Sequence, residues 1–402
     1  MLRRLFYRIL WPHHPWRAVG ISELSEMYIA GFLKNFSQGM IGVFVPLYLL
    51  KNGLSFQMVL VYYALVYASA VLMDLISAYL IAHFGPKHVM RLGFFIQFVY
   101  ALLLTQIDSL PCAAIILSLT QAMAGSFYWL PYHVDFSKIK HRDHGGKELG
   151  WLQLLERLGG IGGPIAGGII ATLFGGHVLF MLSAGLLALA VITLMLSPEP
   201  VRVQQKLRFK GLLKGQLRNT ASYASFVAEN AISIVLWPTF LATVVFSADA
   251  YLKIGGVASI SIAVTVCVAL PLAHLLDKER GLTMLRVGTF LNAIVHGIRP
   301  FVRGFLGATG ISFLNDPGTL VYRLPYLKGF YDSADGYPGQ RVAYVAKNEM
   351  IAHVCCFIIF GVLALLVGVL SVHGVFVVGF LLGAVCSAGI QLQQYATLQA
   401  RR

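Results

Sequence analysis

Residues 125–132, Gly-Ser-Phe-Tyr-Trp-Leu-Pro-Tyr, find an echo in residues 318–326, Gly-Thr-Leu-Val-Tyr-Arg-Leu-Pro-Tyr. The shared tripeptide, Leu130-Pro131-Tyr132 and Leu324-Pro325-Tyr326, is displaced by 194 positions. Neighbouring stretches keep that distance. Met90-Arg91-Leu92-Gly93 returns as Leu285-Arg286-Val287-Gly288 at 195, Gln121 as Asn315 at 194, and Glu156 as Glu349 at 193. A constant long offset marks a chain built from two like-oriented halves, an arrangement used by carriers whose binding site lies between the repeats. Residues 198–220, with Pro198, Pro200 and six cations, read as the linker. The expected organisation is an N-terminal bundle over 1–197, a basic linker over 198–220 and a C-terminal bundle over 221–402.

Working outward, 57% of the 402 residues are hydrophobic and 12% are charged, and the mean hydropathy is +0.74. Soluble domains carry about 25% charged residues. A water-soluble core could not absorb this excess, so the chain reads as an all-α membrane protein, and disordered, collagen-like and disulfide-scaffold classes are excluded. One spanning helix takes about 20 apolar residues. Apolar runs bounded by turn and charge clusters predict twelve transmembrane helices, over 22–49, 55–83, 88–107, 110–134, 148–174, 177–197, 221–246, 252–276, 282–302, 305–327, 342–370 and 373–395. With the repeat, these form two pseudo-symmetric six-helix bundles.

Charge orients the spans, because Lys and Arg collect in cytoplasmic segments. With the N-terminus inside, those segments hold 24 of the 31 cations, and the outer loops only Lys51, Lys253, Arg299 and Arg303. The expectation is a multi-pass protein of the plasma (inner) membrane with both termini cytoplasmic. The net charge of +14 then reflects topology and attraction to anionic membrane lipid, not nucleic acid. The five cysteines lie in or beside apolar runs without metal spacing, so they read as packing residues; no metal or other cofactor is expected, and no enzyme motif is present. Asp74 and His274, at cytoplasmic span ends, read as rim residues.

Ionisable groups near the bilayer centre are costly and therefore informative, at about 2.5–3.5 kcal/mol each on insertion scales. Glu23, Lys34 and Gln38 share one face of span one, with Lys34 near midplane. Glu229 and Asn230 occupy the comparable level of span seven. Lys34 and Glu229 are expected to meet across a central cavity and exchange partners as substrate binds. In span ten Asn315-Asp316-Pro317-Gly318 combines an acid with two helix-loosening residues, predicting a broken or kinked helix at a substrate or proton site. Asp316, with Glu229, is the candidate for proton coupling, and Gln121 a hydrogen-bonding wall. The substrate-binding candidates are thus Lys34, Gln38, Gln121, Glu229, Asn230, Asn315 and Asp316. Glu156, Arg157 and Glu349 lie closer to the cytoplasmic boundary and read as an inner gate.

Span five spaces its small residues as Gly150, Gly159, Gly163-Pro164 and Gly167-Gly168, which allows close helix approach around a proline kink. This run resembles the fifth-helix pattern of the major facilitator superfamily. The loop Ala78 to Lys87 is similar to that family's loop between helices two and three, with Ala82 where the family carries an acid. Leu117, Gln121 and Gly125 resemble its fourth-helix motif, with Gln121 where the family has arginine. The resemblance implies a secondary transporter working by alternating access, with Gly159, Gly163, Pro164, Gly167 and Gly168 among the gating residues. It favours antiport, a proton-coupled export of an amphipathic small molecule by a monomer. A nutrient importer or lipid flippase of the same fold, and a non-transporting receptor or scaffold, are the alternatives.

Overall fold

The structure is a computed structural model that describes residues 23–107, 112–139, 160–193, 207–209, 211–212, 216–246, 249–277, 281–337 and 339–399. Among these residues the chain is helical, with no strand, and the rods follow the expected spans. The first half comprises α1 (Glu23–Ile41, continued after a 3-10 turn as Val45–Lys51), α2 (Phe56–Phe84), α3 (Pro86–Leu104), α4 (Ala113–Ile139), α5 (Gly160–Leu173) and α6 (Gly175–Thr193). The second comprises α7 (Leu217–Phe240), α8 (Ala250–Asp277), α9 (Gly281–Ile298), α10 (Gly304–Asp335), α11 (Arg341–Leu366) and α12 (Val372–Gly389). Eight of these, α2, α3, α4, α6, α7, α8, α11 and α12, are by themselves long and apolar enough to cross a bilayer. The other four, α1, α5, α9 and α10, are shorter or less apolar.

Local chemistry sets the ends. Ser55 caps α2 by accepting from the Met58 N–H at 3.2 Å, and Ser371 caps α12 through Gly374. Between α2 and α3, Gly85 at φ +92° closes one helix and Pro86 opens the next. In α10 the broken alternative of the expected broken or kinked helix does not occur. α10 stays a single helix from Gly304 to Asp335 through both Pro317 and Pro325, and it runs eight residues beyond the expected end at 327.

The halves repeat their packing. In the first, α2 and α3 lie on α4, α3 on α6, and α1 on α6; in the second, α8 and α9 lie on α10, α9 on α12, and α7 on α12. The echoed glycines do equivalent work. A Cβ on Gly93 would sit 2.6 Å from the Phe127 carbonyl oxygen of α4, and one on Gly288 would sit 2.7 Å from the Tyr322 nitrogen of α10. Contact between the halves is also reciprocal: α2 packs on α11, and α5 on α8.

The α5 seam explains the described part of its glycine run. A Cβ on Gly163 would meet the Phe36 carbonyl of α1 at 2.7 Å, and one on Gly168 the Tyr251 carbonyl of α8 at 2.8 Å, while Gly255 of α8 is pressed on Pro164. Backbones touching this closely gain dispersion contacts that larger side chains would forbid. Large apolar side chains such as Leu72, Phe290, Leu306 and Leu365 remain exposed around the outside, as a lipid-facing belt requires. Gly168→Val is therefore expected to lower the detergent melting temperature by several degrees. Gly185→Val, at a position with open space around its Cβ, should leave it unchanged.

Candidate functional site

Two histidine–carboxylate contacts cross between the halves, nearer the face to which charge assigns most Lys and Arg. Asp74 of α2 is 1% exposed and meets His353 Nδ1 of α11 at 2.7 Å. This corrects its reading as a rim residue: ten residues from the end of α2, it is far enough inside to be buried by the second half. His133 of α4 shares a hydrogen bond with Tyr331 of α10 at 2.8 Å, and its Nε2 lies 3.5 Å from Glu349 of α11. Tyr223 of α7 donates to the same Glu349 carboxylate at 2.6 Å. Glu349 and His353 stand one turn apart on α11, so a single helix face carries both contacts. Glu156, Arg157 and Gly159 lie outside the described residues, as does Gly150.

Glu229 belongs to a different network. Its Oε1 accepts from His296 Nε2 of α9 at 3.0 Å and from Ser233 at 3.0 Å, and its Oε2 accepts from Tyr322 of α10 at 2.5 Å. Arg299 donates to Ser233 at 2.9 Å and to His296 Nδ1 at 3.2 Å. Since Nδ1 accepts from a guanidinium, the ring proton sits on Nε2 and points at Glu229, which fixes the neutral tautomer. Three donors converging on one carboxylate match its acceptor-only, ionised form. All of them come from the second half. The structure thus joins Glu229 to His296, Tyr322 and Ser233 and not to Lys34.

Arg299 lies, as expected, in the connection between α9 and α10, in the 3-10 turn Arg299–Phe301, but it is not a solvated loop cation. It is 1% exposed, with its guanidinium carbon 5.1 Å from the Trp237 ring and 5.7 Å from Phe380, and its Nε has no hydrogen-bond partner among the described residues. A position at a span end beside Pro300 looked like loop, but a long side chain can fold back onto aromatic faces.

The remaining candidates are spread along the interior. Lys34 is buried, its Nζ 3.2 Å from the Tyr128 ring centroid and 4.5 Å from that of Trp129, both on α4. Gln121 accepts from Tyr62 at 2.6 Å and from Tyr100 at 3.3 Å. Asp316 accepts from Ser261 of α8 at 2.6 Å and from its neighbour Asn315 at 2.8 Å. Gln38 on α1 and Asn230 on α7 are half-buried, and neither side chain makes a hydrogen bond among the described residues. No group of three or more potential metal ligands occurs among the described residues.

Repeated helical halves enclosing buried charges, with a lipid-facing apolar exterior, define a polytopic membrane protein of the carrier type. The Major Facilitator Superfamily profile matches residues 27–314, and the chain belongs to that family. Its fold is similar to that of a single-residue variant of the E. coli fucose:proton symporter FucP, with a TM-score of 0.67 at 13% identity over 94% of this chain and 98% of that one. FucP in the outward conformation gives a TM-score of 0.65 at 14% identity over 95% and 99%. The nucleoside transporter NupG gives 0.61 at 13% over 95% and 100%. No curated protein matches the chain in sequence.

The Glu229 network makes a measurable claim. Removing one member of a buried ionic network costs about 3–5 kcal/mol. Glu229→Gln and His296→Ala should each lower thermal stability markedly, and the double variant should lose clearly less than the sum. Strict additivity in that cycle would mean that the two side chains do not act together.

Proposed function

We propose that the protein is a secondary transporter that moves a small polar molecule across its membrane by alternating access, with proton coupling. The two cross-half histidine–carboxylate contacts carry this reading. Asp74–His353 and His133–Glu349 join surfaces that must separate if the halves rock, and histidine is the side chain whose charge changes near neutral pH. Breaking such a buried pair costs enough to set the balance between closed and open states. Glu349 therefore acts as a gate residue together with Asp74, His133 and His353. Gly163, Pro164, Gly167 and Gly168 seal the opposite end through α1 and α8.

The solute would contact Gln38 and Asn230, whose amides are unengaged among the described residues, with Lys34, Gln121, Asn315 and Asp316 nearby on the interior faces. Two of the similar folds belong to a fucose symporter and a nucleoside transporter, and this supports a hydrogen-bonding solute. A second reading, export of an amphipathic compound, rests on the span-five glycine pattern. In the described part of that helix the glycines are already used for packing, which favours the first. From its charge distribution we place the protein in the plasma membrane with both termini in the cytoplasm, and we take it to act as a monomer.

Reconstitution into liposomes with a panel of sugars, nucleosides and amphipathic cations under an imposed pH gradient tests this reading. Uptake of a polar solute that stops on adding a protonophore is the expected result. Asp74→Asn and Glu349→Gln should cut gradient-driven flux at least about tenfold, a loss of about 1.4 kcal/mol or more in coupling. No flux of any solute by folded wild-type protein would favour the receptor or scaffold reading instead. In the same assay Asp316→Asn is expected to lose proton dependence; unaltered dependence would remove that residue from the coupling path.

A further inference from the structure

Where α9 begins, beside the segment that follows α12, lies a cavity of about 280 Å³. This is close to the lower end of known ligand pockets. Its polar lining is Arg286, Gln391, Gln393, Gln394 and Gln399, over two leucines of α9, and no carboxylate lines it among the described residues. Arg286 belongs to the echoed tetrapeptide and takes no part in the seam or the Glu229 network. It is exposed, and its guanidinium has no ion pair among the described residues.

The amides are held in place. Gln393 is 3% exposed, and its Oε1 accepts from the Tyr395 N–H at 2.9 Å, which leaves its amide N–H groups as the donors to present. Gln391 is fixed by donating to Thr289 at 2.8 Å, and Gln399 reaches the Gln393 carbonyl at 3.4 Å. A guanidinium and fixed amide donors without an acid match a phosphate group.

What lies next to the cavity selects the source of that phosphate. Four, eight and twelve residues beyond Arg286, on the same ridge of α9, are Phe290 at 64%, Ile294 at 43% and Ile298 at 43% exposure. A continuous apolar ridge leading from a polar cavity with room for a phosphate headgroup has the outline of one lipid molecule, head at Arg286 and acyl chain along Phe290. We propose that this cavity is a binding site for the phosphate of an anionic phospholipid.

Native mass spectrometry of the purified full-length protein in detergent tests it, with phosphatidylglycerol, phosphatidylcholine and inorganic phosphate as separate probes. Wild type should retain phosphatidylglycerol about tenfold better than phosphatidylcholine, the scale of one charge-assisted hydrogen bond. Arg286→Gln should abolish that preference, and so should Gln394→Glu, an exposed change that places an acid in the cavity. Arg208→Gln, at an exposed cation outside the cavity, should preserve it. Equal retention of both lipids by wild type would overturn the proposal. So would a preference unchanged in Arg286→Gln and Gln394→Glu, an equal loss in Arg208→Gln, or inorganic phosphate bound as tightly as phosphatidylglycerol.

Discussion

A charge surrounded by hydrocarbon has to be solvated by the protein itself, and this requirement organises the interior. The chain meets it in three ways. Glu229 collects donors from its own bundle, Lys34 and Arg299 lie over aromatic faces, and Asp74 and Glu349 reach across to or receive histidines from the other half. These solutions differ in what they oppose. The first stiffens one bundle whatever its partner does, whereas the last exists only while the two bundles are together.

Duplication supplies the frame on which these charges sit. The same four pairings recur in each half, and the echoed Gly93 and Gly288 permit equivalent crossings. The chemistry is not duplicated. Gln121, held by two tyrosine hydroxyls, has Asn315 as its counterpart beside an acid, and the buried His296–Glu229 pair belongs to the second half alone among the described residues. Around these positions the first half presents neutral hydrogen-bonding groups and Lys34 over aromatic rings, and the second presents Glu229 and Asp316 with Arg299 over rings of its own.

The fold was legible because two signals are long and redundant: apolar runs of spanning length, and an offset that keeps returning near 194. The site was only partly legible. Lys34, Glu229 and Asp316 stood out because an ion in an apolar run is anomalous on its own. His353 and His133 did not, since a neutral histidine is tolerated in such a run and its partner lies hundreds of positions away or on another helix. The spacing of Glu349 and His353, one turn apart, was the available clue. Arg299 was hidden differently: its place at the end of a run is ordinary for a solvated cation, and only the Trp237 and Phe380 rings draw it inward. Asp74 was misread for another reason: it sits ten residues inside the end of α2, deep enough for α11 to cover it.

Two of the places where the bundles lean on each other are made of unlike material. Between α5 and α8 it is carbonyl against glycine, a fit that no change in acidity can alter. Between α2, α4 and α11 it is imidazole against carboxylate, polar groups that must find other partners when they part. One contact is thus a mechanical clasp and the other a chemical latch.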